Sequence, residues 1–287
     1  MTSNPENLVT IEREAARIAK EIDIPPCPEI LARYNDEFHS AQPNLRRLAA
    51  LLGTDIGLSA ILLKTVNSPF YGLTKKATGI EQALSILGLR ASANLVSGLL
   101  LRSAFPASSS PMMKLFWENS MRIAGLATAI AARLKDVDRN EAHTYVLFRD
   151  CGMLVMLRKF AHYADIMDLG AKIPGAQLTR IEDTRFNFNH ARVAFALARS
   201  WSLPEPLCGA LYYHHEFNLI KRNGPGTEGA NPKLVAFGLL AEQIAALHVD
   251  RGLCPDWNGA EEFVLKTLGI GADDIVELSE DLLGLPA

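Results

Sequence analysis

Apolar residues recur at intervals of three and four along almost the whole of this chain, and strict alternation over the length of a strand is hard to find. One face of a helix returns every 3.6 residues and one face of a strand every two, so the pattern calls for helices throughout. An all-α fold is the expectation. The first stripe, Leu8, Ile11, Ala15, Ile18 and Ile22, ends at Pro25, Pro26 and Pro28, whose rings cannot continue a helix. Such a stripe either packs on its own chain or pairs between two copies, and packing within the chain is the simpler reading.

Further stripes follow. Leu45, Leu48, Ala49 and Leu52 precede Gly53, a natural helix end, and Asp55 is placed to cap a helix burying Leu58, Ile61, Leu62 and Val66. That helix should stop at Asn67-Ser68-Pro69, with Phe70-Tyr71-Gly72 opening a loop. Shorter helices are expected around Ile80 to Leu87 and Leu95 to Leu101, and the Ser- and Pro-rich stretch 106–111 reads as a linker. Beyond it the spacing predicts helices over 112–135, 141–160, 189–201, 205–217 and 234–247, a glycine-rich loop over 223–232, and two short closing helices.

Composition bounds the function. With 287 residues, 48% hydrophobic and 21% charged, the chain can bury a sizeable core and is not of the disordered class. A net charge of −3 gives no reason to expect direct nucleic-acid binding, which draws on clustered Lys and Arg. Cys27, Cys151, Cys208 and Cys254 are far apart, with no Cys-x-x-Cys pair, which favours reduced thiols over a zinc ribbon or a disulfide framework. No basic segment leads into an apolar run near Met1, and no stretch reaches about 18 uncharged apolar residues. The expectation is a cytoplasmic protein without a membrane span.

Gly224-Pro225-Gly226-Thr227-Glu228-Gly229 formally matches the dinucleotide fingerprint, but that fingerprint works only between a buried strand and a helix, and here a charged helix end precedes it. It is read as a decoy. Asp150, His190, His214 and His215, from three predicted helices, are the candidates for metal or acid–base chemistry, since bundles build metal sites from facing helices. Adjacent His214 and His215 would project about 100° apart on a helix and could not easily share one ion. One of them could serve from a helix end.

These residues resemble a known family. Ile24-Pro25-Pro26-Cys27-Pro28, Leu58 to Leu63 running into Asn67-Ser68-Pro69-Phe70-Tyr71-Gly72, and Ile80-Glu81-Gln82-Ala83-Leu84 with Leu87-Gly88 are similar to the HDOD domain. The resemblance continues through Phe148-Arg149-Asp150-Cys151-Gly152, His190-Ala191-Arg192-Val193 and Trp201-Ser202-Leu203-Pro204 to His214-His215-Glu216. It implies a multi-helix HD-like bundle with an N-terminal helical subdomain. The chain then divides into an amphipathic helix over 1–22, the N-terminal subdomain over 23–110, an HD-like subdomain over 111–220, and a loop with a C-terminal helical extension over 221–287.

HDOD domains resemble HD and HD-GYP phosphohydrolases, in which histidines and aspartates hold one or two metals that activate water against a phosphoester. By that resemblance the first ligand histidine falls on Asn119 and the His-Asp doublet on Arg149-Asp150, while a final aspartate would lie where the chain reads Leu239-Leu240-Ala241-Glu242-Gln243. Asn119 offers only a neutral amide oxygen. Arg149 has no lone pair to give a cation, but turned inward its charge would pair Asp150 and neighbouring acceptors.

The resemblance thus implies a non-catalytic signalling module with a vestigial pocket of Asn119, Arg149, Asp150, His190, His214 and His215. No cofactor is expected. The alternative is a metal-dependent phosphohydrolase of nucleotides or cyclic dinucleotides, with one divalent metal on Asp150, His190 and His214. Other signalling proteins are the expected partners, with a small anionic or nucleotide ligand and a homodimer as further possibilities.

Overall fold

The computed structural model describes residues 8–68, 71–222, 227, 229–248 and 252–282, and the side chains of residues 8 and 9 lie outside that description. The fold is all-α, with no strand among the described residues. Two compact units are formed, one from residues 26–106 and the other from residues 1–25 together with 107–287.

The smaller unit holds α2 (Glu29–Phe38), α3 (Leu45–Leu52), α4 (Ile56–Val66), α5 (Ile80–Leu87) and α6 (Leu89–Ala104). Its helix starts follow the chemistry of the sequence. Asn44 accepts from the amides of Arg46 and Arg47 to open α3, and Asp55 accepts from Leu58 N at 2.9 Å to open α4. Asn67 ends α4, and its side chain closes the following loop by bonding both the N–H and the carbonyl of Ala77. Pro69 and Phe70 lie outside the described residues. Leu31, Tyr34, Leu48, Leu62, Ala83 and Leu84 form its core, with Tyr34 Oη and Ser92 Oγ 2.6 Å apart inside it.

The larger unit begins with α1 (Leu8–Glu21). Ile11, Ala15, Ile18 and Ile22 are buried, and α1 lies along α12 (His190–Ser200), where Glu14 meets Arg192 at 2.8 Å and Glu12 meets Arg199 at 2.8 Å. The stripe is thus buried within its own chain. Burying each isoleucine contributes about 1.5–3 kcal/mol, which outweighs the exposed ion pairs around it.

Residues 107–109 form a short 3-10 turn, after which Ser110 caps α7 (Pro111–Leu134) by accepting from Met113 N. The single helix expected over 141–160 is instead α8 (Arg139–Arg149) and α9 (Cys151–Lys159), broken at Asp150 with φ −102° and ψ 11°. The cause is tertiary. A Cβ on Gly152 would stand 1.9 Å from the carbonyl oxygen of His190, so α9 approaches α12 backbone to backbone just past the break.

Then come α10 (Tyr163–Gly170), α11 (Gly175–Phe186), α12, α13 (Glu205–Tyr213) and α14 (Phe217–Lys221). The chain closes with α15 (Pro232–Leu247), α16 (Trp257–Leu268) and α17 (Ala272–Leu282). The helix expected over 205–217 therefore ends four residues early, with His214 as its C-terminal cap at φ −63° and ψ −23°. Of the glycine-rich loop, residues 223–226 and 228 lie outside the described residues. No described helix is by itself long and apolar enough to cross a membrane.

Candidate functional site

Five of the six residues singled out from sequence come together in the larger unit. Asp150, at the break between α8 and α9, is the hub. Its Oδ2 accepts from Arg149 Nη2 at 2.6 Å and from Arg149 Nε at 3.1 Å, while its Oδ1 stands 3.4 Å from His214 Nε2 and 3.7 Å from His190 Nε2. Arg149 turns inward, its side chain only 6% exposed, and its Nη2 also donates to Glu242 Oε1 of α15 at 2.6 Å. Burial alone would lift the Asp150 carboxyl, but Arg149, His214 and His190 outweigh it and hold the group well below the usual carboxylate range. Asn119 lies apart: it is exposed on α7, and its Oδ1 accepts from Arg122 Nη2 at 3.0 Å.

Each histidine is fixed through Nδ1. His190 opens α12, and its Nδ1 donates to Glu182 Oε2 of α11 at 2.7 Å; the same oxygen accepts the His190 amide at 3.0 Å, and Tyr163 donates its hydroxyl to the other oxygen. His214 follows the end of α13 and donates from Nδ1 to the Leu211 carbonyl at 2.7 Å. His215 faces Asp256 Oδ2 through Nδ1 at 3.2 Å. A histidine whose Nδ1–H is taken by an acceptor presents the Nε2 lone pair on its other side, the usual arrangement behind a metal-bound imidazole.

One ring nitrogen from each of the three histidines and one Asp150 oxygen converge, all within 4.8 Å of one another. The expectation that His214 and His215 could not easily serve one ion meets a different geometry: at the C-terminal end of α13 their rings stand side by side, with centroids 4.0 Å apart. His190 Nε2 and His215 Nε2 are 3.0 Å apart. Two neutral imidazoles supply two N–H groups, whereas the contacts to Glu182, between the rings, and to Asp256 ask for three. A positive species, proton or metal cation, completes the set.

The surroundings divide the imidazoles. For His190 burial disfavours charge, yet Glu182 and then Asp150 outweigh it and raise its pKa above the ordinary imidazole value. For His214 burial, reinforced by His215, pushes the pKa down to about 3, so it stays neutral. His214 Nε2 is buried and makes no aligned hydrogen bond. An orphaned lone pair facing a carboxylate is what a cation would satisfy. A tetrahedral ion bound at about 2.0–2.1 Å spaces its donors roughly 3.3 Å apart. Three of the six donor separations are 3.0, 3.4 and 3.7 Å and none exceeds 4.8 Å, and a His/His/His/Asp set suits zinc, nickel, iron or manganese. The residues fit one divalent cation.

Sequence reasoning missed Glu182 and Asp256. Neither carries a spacing signal, and the only clue is indirect: a buried histidine needs an Nδ1 acceptor, which can come from anywhere in the chain.

The comparisons with known proteins agree with this architecture. A match to the HDOD domain spans residues 24–217. An uncharacterized protein of Treponema pallidum (strain Nichols) is 28% identical over 212 residues, covering 70% of this chain and 39% of that protein, so the chain spans about two fifths of that relative's length. Among solved structures, an HDOD domain protein of unknown function from Geobacter sulfurreducens superposes with a TM-score of 0.67 at 21% identity, covering 96% of this chain and 94% of that one. A Shewanella amazonensis protein provisionally named a phosphohydrolase gives 0.66 at 23% identity, with 93% of each chain covered. At these identities the two structures speak for the fold alone, and the domain match speaks for the family: the chain belongs to the HDOD family.

Proposed function

We propose that this chain is a non-catalytic regulatory module of cytoplasmic signalling, working through contacts with other signalling proteins or a small ligand. The observation that carries the reading is Arg149. Its guanidinium lies 2.6 Å from both Asp150 and Glu242, so a fixed positive charge neutralises two carboxylates that a hydrolytic metal pair would need. Guanidinium keeps its charge at any working pH and can neither be exchanged nor polarise a water into hydroxide.

A second reading rests on the orphaned His214 Nε2. Asp150, His190, His214 and His215 would hold one divalent cation, with Glu182, the Leu211 carbonyl and Asp256 orienting the rings. Such a cation supplies Lewis acidity and charge neutralisation when bound. The chain's own residues fix the three rings through Nδ1, exclude bulk water by burying His190 and His214, and hold Arg149 beside the hub.

One experiment separates the readings. Metal content per chain is measured after purification and after loading with manganese, iron, nickel or zinc, alongside hydrolysis of bis(p-nitrophenyl) phosphate and cyclic dinucleotides. Absence of turnover above a metal-only blank in every loaded form is the expected result. Turnover abolished by Asp150→Ala would overturn the regulatory reading, and less than about one-tenth of an ion per chain under all conditions would overturn the cation reading.

A further inference from the structure

The segment matched to the family ends at residue 217, yet the site draws on residues beyond it. Glu242 reaches in from α15, and Asp256, buried at the start of α16, reaches in from the turn that follows. That turn is pinned from inside: Gln243, next to Glu242 and buried, accepts the Cys254 amide at 2.9 Å. From there Asp256 joins two elements. Its Oδ1 accepts the Gly175 amide at the start of α11 at 2.9 Å, and its Oδ2 faces His215 Nδ1.

The fit around His215 leaves little slack. A Cβ on Gly175 would stand 1.8 Å from His215 Nδ1, so the ring is pressed against the first residue of α11 on the side where it meets Asp256. His215 lies one residue beyond the C-terminal cap of α13, and the acceptor that faces its Nδ1 is Asp256 Oδ2. Rotating the ring, or moving its proton to Nε2, would put an N–H where the lone pair now points at His190.

We infer that Asp256 is the positioning residue of this centre: it holds His215 with its proton on Nδ1 and its Nε2 toward His190, so that the C-terminal segment beyond the family match completes the site. The ring orientation stands with or without a cation. The consequence for affinity rests on the second reading above.

The test uses the full chain. In nitrogen-15 long-range correlation spectra, wild-type His215 should carry its proton on Nδ1, and Asp256→Asn should shift the population toward Nε2. Asparagine can still accept the Gly175 amide through its oxygen, so the fold is retained while the charge facing the ring is lost. Where Asp256→Ala fails to fold, Asp256→Asn and the wild-type spectrum decide. An unprotonated Nδ1 in the wild type, or a tautomer unchanged in Asp256→Asn, overturns the inference.

Cobalt(II) absorption adds the second readout. Loss of an Nδ1 partner typically weakens a metal about 10- to 100-fold, and Asp256→Asn should lie in that range. If the wild type takes up no cobalt while the tautomer shifts as stated, the cation reading falls and the role of Asp256 stands. If cobalt binds equally to both proteins and the tautomer is unchanged, the reverse holds.

Discussion

The two oxygens of Asp150 face different worlds. Oδ2 meets Arg149, whose charge is covalently part of the chain and is shared with Glu242. Oδ1 meets imidazoles whose contacts fall one positive charge short of complete. On the arginine side the neutralising charge cannot leave, while on the histidine side it must be acquired as a proton or an ion. A single carboxylate thus joins a permanent ion pair to an exchangeable site, and perturbing each side separately shows how far they are independent.

Removing the permanent charge should have the largest effect. Arg149→Ala leaves Asp150 and Glu242, whose side chains are 20% and 25% exposed, without a counter-charge. Loss of one partner from a buried pair costs about 3–5 kcal/mol, and a fall of that size is expected in urea unfolding. The double variant Arg149→Met with Glu242→Met should recover part of the loss, because the orphaned carboxylate goes with the arginine. A single-variant loss below about 1 kcal/mol would mean that the histidines, not Arg149, neutralise Asp150.

The histidine side should show itself in acid. His214 is held down to about 3, whereas in the unfolded chain it titrates near 6.5. Below about pH 6.5 the unfolded chain therefore binds a proton that the native chain refuses, and stability falls as pH drops toward 3. One proton corresponds to about 1.4 kcal/mol per pH unit. His190 has the opposite sign: its pKa is raised on folding, so its contribution is present below the unfolded value and lost as pH rises through the folded one. Burial also holds His143 down to about 4, so the slope assigned to His214 is the difference between wild type and His214→Asn. Urea midpoints from pH 6 to 4 that fall equally steeply in both proteins would remove His214 from the account.

How far the sequence reveals this centre follows from where the information sits. Helices were legible because each stripe is local: Ile11, Ala15 and Ile18 declare their face within three turns, and Asp55 declares its cap within three residues. The break at Asp150 was not, because nothing in residues 141–160 says that the carbonyl of His190, about forty residues later, will lie against Gly152. The convergence of His214 and His215 was hidden for a similar reason, since the acceptor that faces His215 Nδ1, Asp256, is distant in sequence. Asp256 lies 41 residues from the ring it faces.

The smallest expected effect marks the edge of the comparison. Resemblance to the HD enzymes puts Asn119 at a ligand position, which predicts that it stands in one pocket with Asp150 and the histidines. The structure gives it a different setting, exposed on α7 with its amide oxygen on Arg122 Nη2. Arg122 does not depend on that bond, because its Nη1 also donates to the Ala245 carbonyl at 2.9 Å. Asn119→Ala should then shift stability by no more than about 0.5 kcal/mol, as for other exposed positions, and leave cobalt uptake at wild-type affinity. A loss of several-fold in cobalt affinity would extend the centre to α7 and make the boundary between fixed and exchangeable charge run through Arg122 rather than through Asp150.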